Sequence, residues 1–491
     1  MKPALALLFG SAFIAWMLAR DRRWRSLPSR TLWIPAIFLA IASSHQMSYW
    51  LYQVGVASVQ TNRLEGSPIN VVFNSSLFIA AVLALKRRGF SWRTFVWSNK
   101  ALSAMYALFL CSMFWSPFPV PTLKRVVQDF GCVLTALVIL TESDPAASMR
   151  AVFVRLSYIL FPLSVVLIRW FPDIGRFKSG VSGAYLPAGV TVHKNELGQL
   201  VVVFCVVLLW DLIETRKGDT GVTEEPERLT RMVTLGIGLY LLVLSSSATS
   251  WVGFAIGLPL FFLSKRLAQR TDVKRLFTAA ALSIIVLASF GQMYATRFSE
   301  ALQRGDTLSG RTDIWRVTLE KFREAYGTSL LGAGYHGFWE SSVGVSVWKD
   351  LGTNPLLQAH NGYLETYLNG GLVGLFLLGV LILAFGWSAA DKLARGDPLG
   401  RLAVVFWPVL LFVNLTEAQF FQVGPLWFVT LLAVMNSPLR TPSEAAARMG
   451  ADTARRLTGR IRPHPLGHTL DTPLAKRSIN RPRSSRLTAR R

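Results

Sequence analysis

The sequence is poor in charged residues and in cysteine. Only 16% of its 491 residues are charged, whereas soluble globular proteins carry about 25%, and the mean hydropathy is +0.38. These values exclude a disordered chain, a collagen-like chain and an ordinary cytosolic enzyme, and they favour a polytopic membrane protein. The three cysteines lie in apolar runs without a CxxC pair, and the six histidines form no HExxH pattern. A disulfide framework and a structural zinc site are therefore not expected.

Acidic residues are also scarce, with 28 against 52 basic residues and a net charge of +24. Such an excess suits a nucleic-acid binder only if the basic residues form a binding surface. Most of them instead fall in the loops on one side of the predicted membrane spans, as the positive-inside rule requires. The segment 437–491 holds 13 basic and three acidic residues and no apolar periodicity, which predicts a disordered cytoplasmic tail. Attraction to anionic lipid is its expected role, with RNA or a protein partner as the alternative.

What the sequence does contain is a series of long apolar runs. A spanning helix requires about 20 predominantly apolar residues, so these runs predict an all-α, polytopic transmembrane helix bundle of 12–13 spans. The thirteen runs are 3–19, 32–58, 68–85, 94–115, 122–141, 151–171, 195–213, 231–247, 250–264, 276–292, 361–386, 401–416 and 420–436. The first run lacks a small-residue cleavage site, and we interpret it as a retained span rather than a cleaved signal.

Residues 293–360 form the only long connection between the predicted spans. Loops of this length are usually functional or disordered, and the alternation of basic loops places this one on the side away from the cytoplasm. The sequence therefore predicts N-terminal membrane helices (1–292), a large external loop (293–360), C-terminal membrane helices (361–436) and the tail.

Within this loop, Gly310–Gly327 has helical periodicity. Its large apolar residues fall on one face at i, i+4, i+7 and i+11, which predicts an amphipathic helix lying flat on the membrane surface. Arg311 is at its N-terminal end, where free backbone N–H groups also favour an anion. A solvated surface arginine is the alternative reading of Arg311.

The loop continues with LLGAGYHGFWE, whose Gly332, Gly334 and Gly337 match the letters of GxGxxG. No βαβ unit surrounds them, so we interpret them as turn residues beside a ligand or the membrane rather than as a dinucleotide site.

The loop ends at His360 and Asn361, followed by Glu365. A neutral imidazole at the membrane boundary can accept a proton from a hydroxyl near pH 7. His360 and Glu365 are five residues apart and do not share a helical face. Capping of the following span by His360 and Asn361 is the alternative.

Other polar residues cluster at the same predicted membrane face. His193 lies at the mouth of one span, and a positively charged mouth is expected from Lys124, Arg125, Arg169, Arg176, Lys178 and Lys194. Such a mouth suits an anionic ligand such as a lipid diphosphate. Lys100, Asp129, Asp211 and Glu417 are further ionisable residues in or near spans, where such groups are costly and tend to be functional, although snorkelling explains some of them.

The ordered motifs GRTDIW (310–315), LLGAGYHGFW (330–339) and HNGYLETYLNGGLVGL (360–375) resemble the O-antigen ligase and exopolysaccharide polymerase family of bacterial inner membranes. HKNELG (193–198), SSSATS (245–250) and WSPFPVPTLKR (115–125) accompany them in the polymerase branch, and the resemblance covers residues 64–436. It implies metal-independent, cofactor-free glycosyl transfer on the periplasmic side from an undecaprenyl-diphosphate-linked glycan. The absence of a DxD pair and of a P-loop agrees with a lipid-linked donor.

The resemblance implies catalytic roles for two residues. His360 would remove the proton of the acceptor hydroxyl, and Arg311 would stabilise the leaving diphosphate, because a guanidinium grips phosphate oxygens bidentately. The remaining candidates are substrate-binding residues, namely Arg169, Arg176, Lys178, His193, Lys194, Asn361 and Glu365.

Polymerisation of exopolysaccharide repeat units is the leading interpretation, and transfer of a glycan to lipid A-core or another acceptor is the alternative. A transporter or flippase of lipid-linked glycans would favour inverted repeats, which the sequence lacks, and a non-catalytic scaffold would not need converging Arg and His residues.

The expected partners are the lipid-linked donor, an acceptor glycan, membrane lipid and a chain-length regulator or export complex, but no nucleic acid. The expected location is the bacterial inner membrane.

Overall fold

The computed structural model describes residues 2–21, 29–56, 66–178, 183–214, 225–270, 272–284, 309–353 and 355–437. Almost all of the predicted tail and the first part of the predicted external loop, 293–308, lie outside these residues.

The described chain is almost entirely helical, as predicted. In chain order, its helices are α1 (Pro3–Arg20), α2 (Trp33–Ala42), α3 (Met47–Gln53), α4 (Pro68–Arg87), α5 (Trp92–Ser98), α6 (Lys100–Cys111), α7 (Pro119–Leu140), α8 (Pro145–Trp170), α9 (Pro172–Gly175), α10 (Lys194–Glu214), α11 (Glu225–Ser245), α12 (Ala248–Leu267), α13 (273–284), α14 (Ser309–Tyr326), α15 (Ser342–Asp350), α16 (Gly362–Ala394), α17 (Gly400–Val413) and α18 (Pro425–Val434). One antiparallel hairpin pairs β1 (Arg176–Lys178) with β2 (Tyr185–Pro187).

Proline fixes where many of these helices begin. In α1, α4, α7, α8, α9 and α18 the first residue of the helix is a proline. A proline at this position loses nothing by lacking an N–H, because the first N–H groups of a helix have no partner within the helix, and its fixed φ already suits the helix. The boundaries of these helices are therefore local properties of the sequence.

Seven described helices, α1, α4, α8, α10, α11, α12 and α16, are long and apolar enough to cross a membrane. The other predicted runs are helical over most of their described residues, which for the run 276–292 are 276–284. The run 32–58 is divided between α2 and α3, and the run 94–115 between α5 and α6. Helices α17 and α18 have only 14 and 10 residues. The transmembrane helix bundle is thus confirmed with fewer full-length spans in the described part than predicted, because hydropathy does not show where a helix breaks.

The central helices are buried by their neighbours rather than by lipid. Trp210, Trp407 and Trp427, on α10, α17 and α18, are almost completely buried, whereas Leu8 on α1 and Ile79 on α4 are more than 60% exposed. An apolar side chain exposed to this extent on a spanning helix is suited to contact with lipid. The bundle therefore has a protein-enclosed centre and peripheral helices with lipid-facing surfaces.

Three of the four ionisable residues noted in or near the spans have partners that account for them. Asp211 forms an ion pair with Arg231 at 3.0 Å, and Lys100 lies over the ring of Trp97 at 4.9 Å. Asp129 accepts a 2.6 Å hydrogen bond from the hydroxyl of Tyr335. Buried charged groups persist when they are paired in this way. The fourth residue, Glu417, lies between α17 and α18 and is described with the site.

The amphipathic helix predicted at Gly310–Gly327 is present as α14, but its apolar face does not lie on the membrane surface. Trp315 and Phe322 are buried in a second apolar cluster with Phe338, Trp339 and other loop residues. The apolar face of α14 therefore packs against the rest of the loop. The periodicity predicted the helix correctly, but it could not distinguish a protein partner from a lipid surface.

Candidate functional site

Three side chains converge on the carboxylate of Glu417. Nη2 of Arg311 donates a hydrogen bond to Oε1 at 2.6 Å, and Nδ2 of Asn195 donates to the same oxygen at 2.7 Å. Nδ1 of His360 lies 3.2 Å from Oε2. Glu417 is only 5% exposed, so these contacts compensate for the burial of its charge. We call these four residues the Glu417 cluster.

The four members come from four separate parts of the chain. Asn195 is in the first turn of α10 and Arg311 in the first turn of α14, while His360 immediately precedes the cap of α16. Glu417 follows the end of α17. The cluster is therefore assembled only when α10, α14, α16 and α17 are in place.

The backbone of His360 adopts a conformation that most residues avoid, with φ at +50°. A non-glycine residue in this region costs about 1–3 kcal/mol and persists only where its surroundings hold it. On one side, the N–H of Ala359 donates to Oε2 of Glu365 at 2.9 Å, and the carbonyl of Ala359 accepts from Nε1 of Trp315 at 2.8 Å. These contacts fix the chain as it enters His360.

On the other side, the start of α16 holds His360. Oδ1 of Asn361 accepts hydrogen bonds from the N–H groups of Tyr363 and Leu364, both at 3.0 Å, and so caps the helix. The N–H of Gly362 donates to the carbonyl of Glu417 at 3.1 Å. The backbone next to His360 is thus tied directly to the backbone of its carboxylate partner.

The electrostatics of the cluster determine where the shared proton lies. Burial acts to raise the pKa of Glu417, but the hydrogen bond with His360 and the charge of Arg311 hold this pKa below its ordinary value. An ionised carboxylate can only accept, so the proton shared with His360 is on Nδ1. In the neutral imidazole, Nε2 is then unprotonated and can accept a proton from a ligand.

His193 and Lys194 belong to the same electrostatic environment. Burial lowers the pKa of His193 to about 4, with Glu417 opposing this shift and His360, Lys194 and Arg311 adding to it. His193 is therefore neutral at pH 7. The cations that act on its pKa are Lys194 and Arg311.

The other predicted basic residues have different neighbours. Nη2 of Arg169 donates to the hydroxyl of Tyr240 at 3.0 Å, and Nε of Arg176 donates to the carbonyl of Ile168 at 3.0 Å. Lys178 is exposed at the end of β1. The contacts of the described residues do not connect these three side chains to the Glu417 cluster.

The glycines of the GxGxxG-like segment contact protein backbone. Gly332 has φ of +71°, and a Cβ there would lie 2.7 Å from the backbone of Gly370. Gly371 has φ of +60°, and its Cβ would lie 2.4 Å from the backbone of Leu330. Only glycine permits this approach at a positive φ. The turn expected beside a ligand or the membrane is instead the contact between the external loop and α16.

The comparisons with known proteins agree with the motifs. The sequence model of the O-antigen ligase family matches residues 233–379, a range that contains Arg311 and His360. The chain is also 28% identical over 326 residues to the exopolysaccharide production protein ExoQ of Rhizobium meliloti (strain 1021), covering 63% of this chain and 70% of that protein. Both comparisons support the resemblance to the O-antigen ligase and exopolysaccharide polymerase family.

Two of the predicted binding residues point into the protein. Asn361 is 2% exposed and caps α16, and Glu365 is 4% exposed. The carboxylate of Glu365 accepts from Nε1 of Trp339 at 3.0 Å as well as from the N–H of Ala359. Both residues hold the segment that carries His360. The contacts of Asn361 are those of a helix cap, which was the alternative interpretation of this residue.

Sequence reasoning did not assign Glu417 or Asn195 to the site. Glu417 was noted only as a costly ionisable residue near a span, and its partners lie 57, 106 and 222 residues away in sequence. The one local signal was a carboxylate near an apolar run without a basic neighbour in its own segment. Only the fold identifies what it binds.

Proposed function

We propose that this protein transfers glycan units from an undecaprenyl-diphosphate-linked donor to an acceptor hydroxyl at the periplasmic face of the bacterial inner membrane. The family match and the relative support a membrane glycan polymerase or ligase. The observation that carries the proposal is the Glu417 cluster, in which one ionised carboxylate orients both a histidine and an arginine.

His360 is the general base in this proposal. Its Nδ1–H is directed to Glu417, which leaves Nε2 to take the proton of the acceptor hydroxyl as the oxygen attacks the anomeric carbon. The bond between that carbon and the diphosphate oxygen breaks, and its electron pair leaves with the lipid diphosphate. Glu417 is a positioning residue, because it acts through His360 and Arg311.

Arg311 receives the negative charge that develops on the leaving diphosphate. Its Nη2 is held by Glu417, which orients the guanidinium plane and leaves further N–H groups for phosphate oxygens. We assign the second cation to Lys194, because it shares the electrostatic environment of His193 and Arg311. Arg169, Arg176 and Lys178 have no such contact within the described chain and are weaker binding candidates.

Polymerisation is the preferred outcome of this transfer, because the name of the Rhizobium relative refers to exopolysaccharide production. The family description, O-antigen ligase, makes transfer of a finished glycan to another acceptor the second candidate. The two reactions share their chemistry and differ in the acceptor.

The experiment is to reconstitute the purified full chain with lipid-linked repeat units in liposomes. A ladder of longer lipid-linked glycans supports polymerisation, and transfer only to added lipid A-core supports ligation. Translocation of the lipid without any glycan transfer overturns the proposal in favour of a flippase.

A further inference from the structure

A cavity of about 410 Å³ adjoins the Glu417 cluster. Its lining includes Glu196, Gln358 and Ala418, which are next to Asn195, two residues before His360 and next to Glu417, respectively. The volume lies within the range of about 300–1,000 Å³ typical of small-molecule sites. None of the four members of the Glu417 cluster is among the described residues that line the cavity, so a ligand that filled it would contact their neighbours in the chain.

The lining of this cavity is unusually rich in side-chain amides. We call six of them the cavity amides, namely Asn74, Gln128, Gln199, Gln358, Gln419 and Gln422. In the part of the chain that the structure describes, none of these six side chains has a hydrogen-bond partner in the protein. Gln199 is 5% exposed, so its amide depends on the contents of the cavity for its hydrogen bonds.

Each amide offers two donors and an acceptor, and a sugar hydroxyl offers one donor and two acceptor lone pairs. An array of amides therefore matches an array of hydroxyls in either direction of hydrogen bonding. It suits an anion less well, since an anion only accepts. The donor and acceptor pattern thus favours a polyhydroxylated, uncharged ligand.

The charges of the cavity agree with this preference. Its lining contains one basic side chain, Arg125, against the carboxyl groups of Glu196 and Glu340. His336 also lines the cavity, and burial together with the charge of Arg125 lowers the pKa of His336 to about 3, so it is neutral at pH 7. A diphosphate would meet a single cation among the described residues that line the cavity, whereas Arg311 and Lys194 lie outside the lining.

The apolar part of the lining also fits a sugar ligand. The rings of Phe38, Phe73 and Trp339 also contribute to the lining, and aromatic rings supply apolar area for the C–H faces of a sugar. The lining thus combines apolar area with a few convergent polar groups.

We propose that this cavity binds uncharged sugar units of the glycan through the cavity amides, separately from the diphosphate at Arg311. The inference rests on the proposed glycosyl transfer, which it deepens by assigning the sugar and the diphosphate to different places. Sugar specificity then depends on glutamine and asparagine side chains from α4, α7, α10 and the two loops that carry His360 and Glu417.

The test measures binding of two probes to the full chain in lipid nanodiscs. One probe is the repeat-unit oligosaccharide of the host's own exopolysaccharide, freed of lipid and phosphate, and the other is undecaprenyl diphosphate without sugar. The variants are Gln358→Met, Gln199→Met and Gln422→Met, which keep side-chain length and remove the amide. Gln269→Met, at an exposed position after α12, is the matched control.

We expect each cavity variant to weaken oligosaccharide binding by about tenfold, the effect of one lost hydrogen bond, with undecaprenyl diphosphate binding unchanged. Gln269→Met leaves both affinities unchanged. Oligosaccharide binding that is absent from the wild type, or equal in wild type and all three variants, overturns the inference. Retained undecaprenyl diphosphate binding shows that a variant is folded. If a variant in a helix misfolds, the loop variant Gln358→Met tests whether the cavity amides bind the oligosaccharide.

The proposed function fails separately from this inference. If reconstituted protein transfers no glycan but binds the oligosaccharide through the amides, only the enzyme proposal fails. If the ladder forms and the affinity for the oligosaccharide is unchanged in the amide variants, only the assignment of the cavity fails.

Discussion

His360 and Glu417 are 57 residues apart in sequence, and their side chains meet with Nδ1 of the histidine 3.2 Å from Oε2 of the carboxylate. Because this carboxylate also binds Arg311 at 2.6 Å, one buried acid fixes the positions of the proposed base and the proposed diphosphate ligand together. The relationship makes distinct predictions for each of the three residues.

His360→Ala should lower the rate of glycan transfer by about 10²- to 10⁴-fold, the usual contribution of a general base. The affinity for undecaprenyl diphosphate should stay close to that of the wild type, since the imidazole acts on the acceptor. The length distribution of the ladder over time measures the rate. Added imidazole should restore part of it, and a His360→Ala ladder identical to that of the wild type contradicts the role.

Arg311→Ala should lower transfer by about 10²- to 10³-fold, because it removes a donor to the charge that develops on the leaving group. Arg311→Lys should recover only part of the rate, because an ammonium lacks the bidentate geometry of the guanidinium. Arg316→Ala is the matched control, since Arg316 is exposed on the same helix and contacts only acidic side chains of α14. An equal loss of transfer rate in Arg311→Ala and Arg316→Ala would mean that transfer depends on the positive charge of α14 and not on Arg311 itself.

Glu417→Gln should lower the rate of transfer because an amide can donate to Nδ1 of His360 and so favour the tautomer with the proton on Nε2. Glu417→Asp should retain more activity, since it remains an acceptor. The loss of charge-assisted hydrogen bonds should also destabilise the protein by about 1.5–3 kcal/mol at pH 7, measured by denaturation in detergent.

The stability effect of Glu417 should depend on pH in a defined direction. The pKa of Glu417 is lowered in the folded protein, so its contribution is present above the unfolded pKa of about 4.3 and is lost as the pH falls through the folded pKa. The difference in Tm between wild type and Glu417→Gln should therefore shrink below pH 4.3. A difference that grows on acidification contradicts the ionised state of Glu417.

His193 predicts acid sensitivity at a higher pH. Its folded pKa is lowered to about 4, below the unfolded value of about 6.5, so between these values the unfolded chain binds more protons. This contribution to stability is complete above pH 6.5 and decreases as the pH falls towards 4. Tm measured across this range should fall more steeply for the wild type than for His193→Asn, while equal slopes would assign the acid sensitivity to other groups.

Gly332→Ala should destabilise the protein by about 1–3 kcal/mol, because the new Cβ would require a strained positive φ and would collide with the backbone of α16. Gly379→Ala on α16 is the control, since a Cβ there meets nothing within 4 Å. Thermal unfolding of the two variants in the same detergent makes the comparison. A Gly332→Ala variant as stable as Gly379→Ala would remove the evidence for a tight contact between loop and helix.

Patterns with a local physical cause could be predicted from the sequence. Apolar runs predicted the helix bundle, and the periodicity of Trp315 and Phe322 predicted α14, because burial on one side of a helix imposes a period near 3.6. The motifs around Arg311 and His360 carry the resemblance to the O-antigen ligase family, which the comparisons support. What these patterns could not specify was the partner of an apolar face, so α14 was assigned to the membrane surface although it packs against the loop.

The breaks between short helices were equally beyond a hydropathy pattern, which averages over some 20 residues and does not register a four-residue turn such as that between α2 and α3. The closeness of basic residues in the sequence was also a poor guide to where their side chains lie in the structure. Arg169, Arg176 and Lys178 occur close together in the chain, but Arg169 and Arg176 bond to Tyr240 and to a carbonyl of α8.

The sequence by itself determined the membrane class and the helical fold, and it carries the family resemblance from which Arg311 and His360 are proposed for chemistry, because each depends on composition or on a short motif. Only the tertiary structure decided that Glu417 joins His360 to Arg311, that Asn361 and Glu365 support rather than face the site, and that scattered glutamines line one cavity. These are contacts between segments up to 222 residues apart. The groups that stabilise the charge of a buried carboxylate come into contact with it only when the chain has folded.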